Sequence, residues 1–337
     1  MIPLERVSTT LQHKEPDKVP LFLFFTVHGA SFLNSSYPDY YTSPELVAEG
    51  QLRLQEKFGH DCLYPFFYAG VECAAFGGDV IYRANGPPES GRPPFKTIED
   101  LLAYELPDPT DEVFEKVVQA QNICFKQVGD TLPILNSVIA PLALPIMLLG
   151  FETWIEMIVT QPELVRSVVE HLGSYTIDLA NYLLENSATA IAYFNPLAST
   201  QMLRLEEFQE LSLEVCRSFF NKIRGPAVYA LAGGAVEPLM ETITSLKVPG
   251  VVVSRKDDLS KLKELYGNKM VLVGNLNNIE MAFWDDAKTE SEVRRCVAEA
   301  AAGGGFIIAD QHGDLPFNVP DSVLHKLVTS RDKWATY

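Results

Sequence analysis

Residues 303–320 read GGGFIIADQHGDLPFNVP and gather the densest set of chemistry-bearing side chains in the chain. Three glycines lead into a short apolar run at residues 306–309. That run is too short for a helix and fits a strand buried on both faces. Asp310, Gln311, His312, Gly313 and Asp314 follow at once, an acceptor, an amide, an imidazole and a second carboxylate. Pro316 and Pro320 then prevent a regular element from continuing. Polar residues at the carboxyl end of a buried parallel strand are where barrels and open α/β sheets place their chemistry. His312 has an ordinary pKa near ~6.5 and can move a proton or bind a metal at neutral pH. Asp310 beside it would favour the charged, proton-donating form. The plainer alternative is a polar turn in which Asp310 caps a bend and His312 faces water.

Such a cluster needs a scaffold, and apolar runs recur along the chain with helical stretches between them. Residues 19–27, 62–67, 133–138, 189–194, 227–231, 250–254, 270–273 and 306 onward read as eight strands. Helical periodicity covers residues 43–58, 111–128, 205–223, 236–246, 259–266 and 291–302, with two helices around Pro162 in residues 151–185. Ser43 then Pro44 is an N-cap followed by proline at the first helical position. Residues 83–94, rich in Gly and Pro, read as an exposed excursion. Strand–helix alternation implies parallel strands with crossover helices. Eight units in 337 residues predict a single (β/α)8 TIM barrel over residues 1–337, with a helical lead-in at the amino terminus. An open doubly wound sheet is the alternative, but no strand is followed by a phosphate-binding glycine motif.

A net charge of −17 argues against nucleic acid or an anionic membrane as partner. No apolar run approaches the ~18 residues a membrane span needs. Five cysteines stand far apart without a CxxC pair, and charged residues follow Met1 closely. Reduced thiols and a cytoplasmic location are therefore expected.

In a barrel the strand ends converge on one mouth. The expected set there is His28, Tyr68, Glu72, Asn136, Asn195, Tyr229, Ser254, Arg255, Asn275, Asp310 and His312. His312, Asp310, Glu72 and Tyr229 are the candidate catalytic groups. His28, Tyr68, Asn136, Asn195, Asn275, Phe25 and Phe67 are the candidate substrate contacts. Each has a plainer alternative: His28 a strand cap, Glu72 a helix-entry carboxylate, Asn195 and Asn275 turn residues, Tyr229 barrel packing, Arg255 a solvated charge. His171 and His325 lie in helical stretches and read as surface residues. The aromatics Phe24, Phe25, Phe66, Phe67, Tyr68, Tyr193 and Phe194 read mostly as core, and any that face the mouth suit a flat ligand.

Residues 4–20, LERVSTTLQHKEPDKVP, resemble the opening of the uroporphyrinogen decarboxylase superfamily, especially its cobalamin-dependent methyltransferase branch. The segments GVECAAFG from Gly70, LG at Leu149, QPEL from Gln161, NPLAS from Asn195, VGN from Val273 and GGGFII follow in family order. The resemblance implies a barrel spanning nearly the whole chain. Decarboxylases of the superfamily carry arginines after the first strand and a catalytic aspartate at the position matched here by Tyr68. This chain reads Val27-His28-Gly29-Ala30 in the first region, so porphyrinogen decarboxylation is not expected. Thiol-methylating members hold zinc through His-x-Cys at the end of the fifth strand and a cysteine after the eighth. The matching positions here are Ala230, Ala232 and the Gln311-His312-Gly313 region. The usual zinc set is absent, leaving His312 with Glu72 or Asp310 as a conceivable metal site. The resemblance then implies methyl transfer from a small donor, such as an aryl methyl ether or an amine, to cobalamin carried by a partner corrinoid protein. His312 with Asp310 would supply a proton, and Tyr229 and Asn275 would orient the donor. The competing reading is a catalytically altered barrel that binds a small ligand.

Overall fold

The protein is described from a computed structural model, which covers residues 1–65, 68–84 and 86–337. A small antiparallel pair, β1 (Val80–Ile81) with β2 (Glu89–Ser90), begins just before the expected excursion at residues 83–94 and returns inside it. Six parallel strands follow in strict sequence order: β3 (Leu135–Ile139), β4 (Ala190–Phe194), β5 (Ala227–Ala230), β6 (Gly250–Val253), β7 (Val271–Leu276) and β8 (Phe306–Asp310). The first two barrel positions are extended segments around Leu21 and Leu63, each with a single parallel bridge. Backbone hydrogen bonds close the ring through them. Phe22 N–H donates to Ile308 (2.9 Å), Asp61 N–H to Leu21 (2.8 Å) and Leu135 N–H to Leu63 (2.8 Å). The fold is the expected (β/α)8 barrel.

Two expected strands shrink because their backbone groups are taken by something other than a neighbouring strand. Leu315 N–H donates to the Phe24 carbonyl (3.1 Å) and the Gln51 amide to that of Phe25 (2.6 Å). The chain then turns into the short helix His28–Phe32. In the second segment the Tyr64 amide donates to the Gln51 side chain at 2.9 Å. Elsewhere local chemistry sets the boundaries as the sequence implies. The Ser43 hydroxyl accepts Leu46 N–H at 3.2 Å, Pro44 opens the helix Pro44–Phe58, and Gly59 ends it at φ +66°. The helix expected at residues 291–302 begins earlier, at Asp286, because Asp285 caps it through Lys288 N–H (2.7 Å).

Side chains alternate between two layers. Phe22, Phe24, Cys62, Tyr64, Phe194, Ala230, Val252, Val273, Ile307 and Ala309 fill the barrel interior. Their sequence neighbours, including Tyr193, Tyr229, Val251, Leu272 and Ile308, pack beneath the helices. The lead-in helix Pro3–Leu11 lays Val7 and Leu11 against the barrel's amino-terminal end, where an apolar cavity of about 80 Å³ remains. Buried Asp61 locks that end. It accepts from Arg6 (2.6 Å), Arg331 (2.5 Å) and Leu21 N–H (2.8 Å), tying lead-in, first strand and carboxyl-terminal helix together.

Candidate active site

The loop after β8 builds the centre of the barrel mouth. Asp310 Oδ1 accepts the backbone N–H groups of His312 (2.8 Å), Gly313 (2.7 Å) and Asp314 (3.3 Å), folding residues 310–314 into a tight turn. Gly313 sits at φ +81°, and a Cβ there would lie 2.8 Å from the Phe194 ring. That position requires glycine. Asp310 is buried, and among the described residues its Oδ2 has no hydrogen-bond partner. Burial pushes its carboxyl up to about 6 against the opposing pull of the three amides.

His312 does not contact the Asp310 carboxylate with its ring. Its Nδ1 meets Asn278 Oδ1 at 2.6 Å, while Asn278 Nδ2 donates to the Asp314 carbonyl at 2.5 Å. A carbonyl only accepts, so the amide nitrogen of Asn278 must face Asp314 and its oxygen must face His312. The imidazole therefore carries its proton on Nδ1 and presents the Nε2 lone pair. Nε2 lies over Gly233 in the loop after β5, 2.3 Å from where a Cβ would stand. Burial, with Lys256 nearby, lowers the His312 pKa, so the ring is neutral at pH 7. The sequence-based expectation of a charged imidazole beside Asp310 is thereby corrected: Asp310 binds backbone, and the nearest charge that matters is a lysine.

A second acid stands beside this one. Asp314 accepts the Thr26 hydroxyl and lines a cleft of about 340 Å³ with Tyr68, Pro87, Pro88 and Ser90. Burial, reinforced by Asp310 and opposed by Thr26, pushes the Asp314 carboxyl up to about 7. Tyr68 packs edge-on to Tyr41 at 5.4 Å. The mouth thus combines a neutral imidazole with two carboxyls whose proton affinity burial has raised, Asp314 more than Asp310.

Other expected site residues lie elsewhere. Tyr229 Oη accepts from Asn195 Nδ2 (3.1 Å), and both meet the Cys216 environment under the helix Leu205–Lys222. Asn136 donates to Gln121 (3.0 Å) of the helix Glu112–Val128. Asn275 accepts from Arg295 (3.0 Å) and donates to the Ser254 carbonyl (3.0 Å). All four face the helix layer: Tyr229, Asn136 and Asn195 each adjoin a residue that points inward, so alternation sends them outward, whereas Asn275 shares the parity of inward Val271 and Val273 and still reaches Arg295 of the helix layer. Glu72 accepts Ile139 N–H at 2.7 Å, filling the edge of β3 that the shortened second strand leaves open. Burial pushes its carboxyl up to about 8. Phe25 and His28 pack together (5.0 Å) with Phe58 and His60, also outside the barrel. Burial lowers His28 to about 4. Phe66 and Phe67 fall outside the described residues. The sequence reading did not single out Thr26 or Asn278, and it named Asp314 without a role. Position after the first and seventh strand ends was the available signal.

The zinc arrangement of thiol-methylating barrels does not fit this donor set. Ala230 and Ala232 supply no ligand, and all five cysteines are buried and free. Among the described residues no three His, Cys, Asp or Glu side chains converge to hold a metal. Glu72 is committed to the wall of the barrel and Asp310 to backbone amides, so neither joins the His312 ring.

A family model for uroporphyrinogen decarboxylase matches residues 3–334. The chain belongs to the uroporphyrinogen decarboxylase family. Among curated members, methylcobamide:CoM methyltransferase MtaA from Methanosarcina barkeri is 22% identical, covering 98% of this chain and 97% of the relative. Methylcobamide:CoM methyltransferase MtbA from Methanosarcina acetivorans is 20% identical over 89% and 90%. A uroporphyrinogen decarboxylase from Geobacter metallireducens is 22% identical over 84% and 83%. A solved methyltransferase from Methanosarcina mazei superimposes with a TM-score of 0.86 at 22% identity, covering 99% of each chain. That likeness confirms the barrel. No helix among the described residues is long and apolar enough to cross a membrane.

Proposed function

We propose that this family member is a methyltransferase that moves a methyl group from a small donor to the cobalt of a corrinoid carried by a separate protein. The observation that carries the corrinoid part of this reading is the likeness, over 98% of the chain, to a protein named methylcobamide:CoM methyltransferase; the direction, towards cobalt, is inferred from the absence of a thiol-binding zinc set among the described residues. The donor set at the mouth does not support a zinc-activated thiol as methyl acceptor, and an aryl methyl ether suits a cleft walled by Tyr68, Pro87 and Pro88 with Asp314 beside them. His312, whose Nε2 lone pair faces the loop after β5, is the group we assign to positioning the reacting partners from outside the cleft lining.

The test is methylation of cob(I)alamin, followed as loss of Co(I) absorbance, with methoxylated aromatics, methanol and methylamines as donors. Wild-type protein should methylate cobalt well above the protein-free rate. His312→Ala should remain folded yet transfer at least ~10²-fold more slowly. If no donor methylates cobalt above background, the chain is a ligand-binding barrel instead.

A further inference from the structure

We propose that Asp314 is the proton donor to the leaving oxygen of an uncharged methyl ether bound in the cleft beside Tyr68. The assignment rests on the methyl-transfer reading and adds the acid that an ether requires. Cleaving an ether's C–O bond leaves an alkoxide or phenoxide, a poor leaving group unless a proton arrives as the bond breaks. His312, neutral and with its only ring proton held by Asn278, cannot supply that proton.

Asp314 has the placement. Its amide is held by Asp310 (3.3 Å) and its carbonyl by Asn278 (2.5 Å), so the backbone is fixed on both sides. The Thr26 hydroxyl donates to Oδ1, so a proton on the carboxyl resides on Oδ2. Among the described residues Asp314 forms no ion pair, and no lysine or arginine lines the cleft. Glu89, also in the cleft wall, is answered by Arg83 at 2.6 Å. Asp310, whose buried Oδ2 has no hydrogen-bond partner among the described residues, adds like charge when it ionises. The other titratable groups that Asp314 acts on, Tyr41 and Tyr64, are buried phenols that stay neutral. Burial and the Asp310 charge therefore outweigh the Thr26 hydrogen bond, and the carboxyl titrates at about 7. A methylammonium donor would need no proton, because its leaving amine is neutral. A donor bearing carboxylates would find no cation.

In the step, the Co(I) electron pair forms a bond to the methyl carbon and the C–O pair stays on oxygen. Oxygen takes the Asp314 proton. The products are methyl-Co(III), the free alcohol or phenol, and an Asp314 carboxylate that regains a proton from water.

The experiment compares anisole with 4-nitroanisole as donors to cob(I)alamin. 4-Nitrophenoxide leaves without a proton. Asp314→Asn should lose ~10²–10⁴-fold on anisole and less than ~10-fold on 4-nitroanisole. The wild-type anisole rate should fall as pH rises through about 7. Thr26→Val removes a hydrogen bond that favours the carboxylate, so it should move that fall to higher pH. Folded Asp314→Asn protein that loses the same factor on both donors, or an unmoved profile in Thr26→Val, would overturn the assignment. Wild-type transfer from methylammonium but from neither ether would also overturn it while leaving methyl transfer standing. No transfer from any donor would remove both.

Discussion

Gly233→Ala isolates what His312 Nε2 does without touching the histidine. Gly233 has φ +87°, and an added methyl would stand 2.3 Å from Nε2 and 2.8 Å from both Cδ2 and Cε1. Carbon contacts settle near 3.5–4.0 Å, so the ring must shift by about 1 Å. The Nδ1 bond to Asn278 is 2.6 Å long and can neither shorten nor stretch by that much. Its loss costs roughly 0.5–1.5 kcal/mol, and a Cβ in the left-handed region costs roughly 1–2 kcal/mol. The fold should thus lose roughly 1.5–3.5 kcal/mol, which a stable domain survives. Displacing a positioned group by ~1 Å can cost ~10² in rate. Gly59→Ala is the control: φ is +66° but nothing lies within 4 Å, so it carries the backbone strain without a clash. The assay is cob(I)alamin methylation beside urea unfolding. Gly233→Ala should lose about 10²-fold in transfer and Gly59→Ala almost none. Equal transfer by the two variants would refute any role for Nε2.

Two further outcomes concern the scaffold. Asp61→Ala removes the partner of one guanidinium nitrogen each of Arg6 and Arg331, leaving Arg6 on Asp17 and Arg331 on Asp332, and should cost roughly 1.5–3 kcal/mol in urea unfolding; a loss below about 0.5 kcal/mol would mean the lock is dispensable. Glu72 titrates at about 8 in the fold against 4.5 unfolded, so its contribution is full below pH 4.5 and declines as pH rises towards 8. Glu72→Gln keeps an acceptor for Ile139 N–H and should gain stability over wild type at pH 8 but not at pH 4; identical pH profiles would show that Glu72 does not titrate there.

The sequence by itself determined the alternation of elements, and with it the barrel. Each buried strand from the third to the eighth is an apolar run between turn residues, a pattern that depends only on near neighbours. It also determined that the loop after β8 is special, because Asp310 to Asp314 combine polar chemistry with a glycine that closes the turn. What it did not carry is which way side chains face. Strand alternation has a period of two, and a register uncertain by one residue sends Tyr229, Asn136 and Asn195 to either layer; packing against helices put them outside. Nor did it show that the first two strands stop early, since that follows from bonds to Gln51, Glu72 and Leu315, all distant in the chain. The tautomer of His312 and the protonation of Asp314 depend on Asn278 and Thr26, which lie 34 and 288 residues away. Burial and long-range hydrogen bonds set both, and these exist only once the barrel has closed.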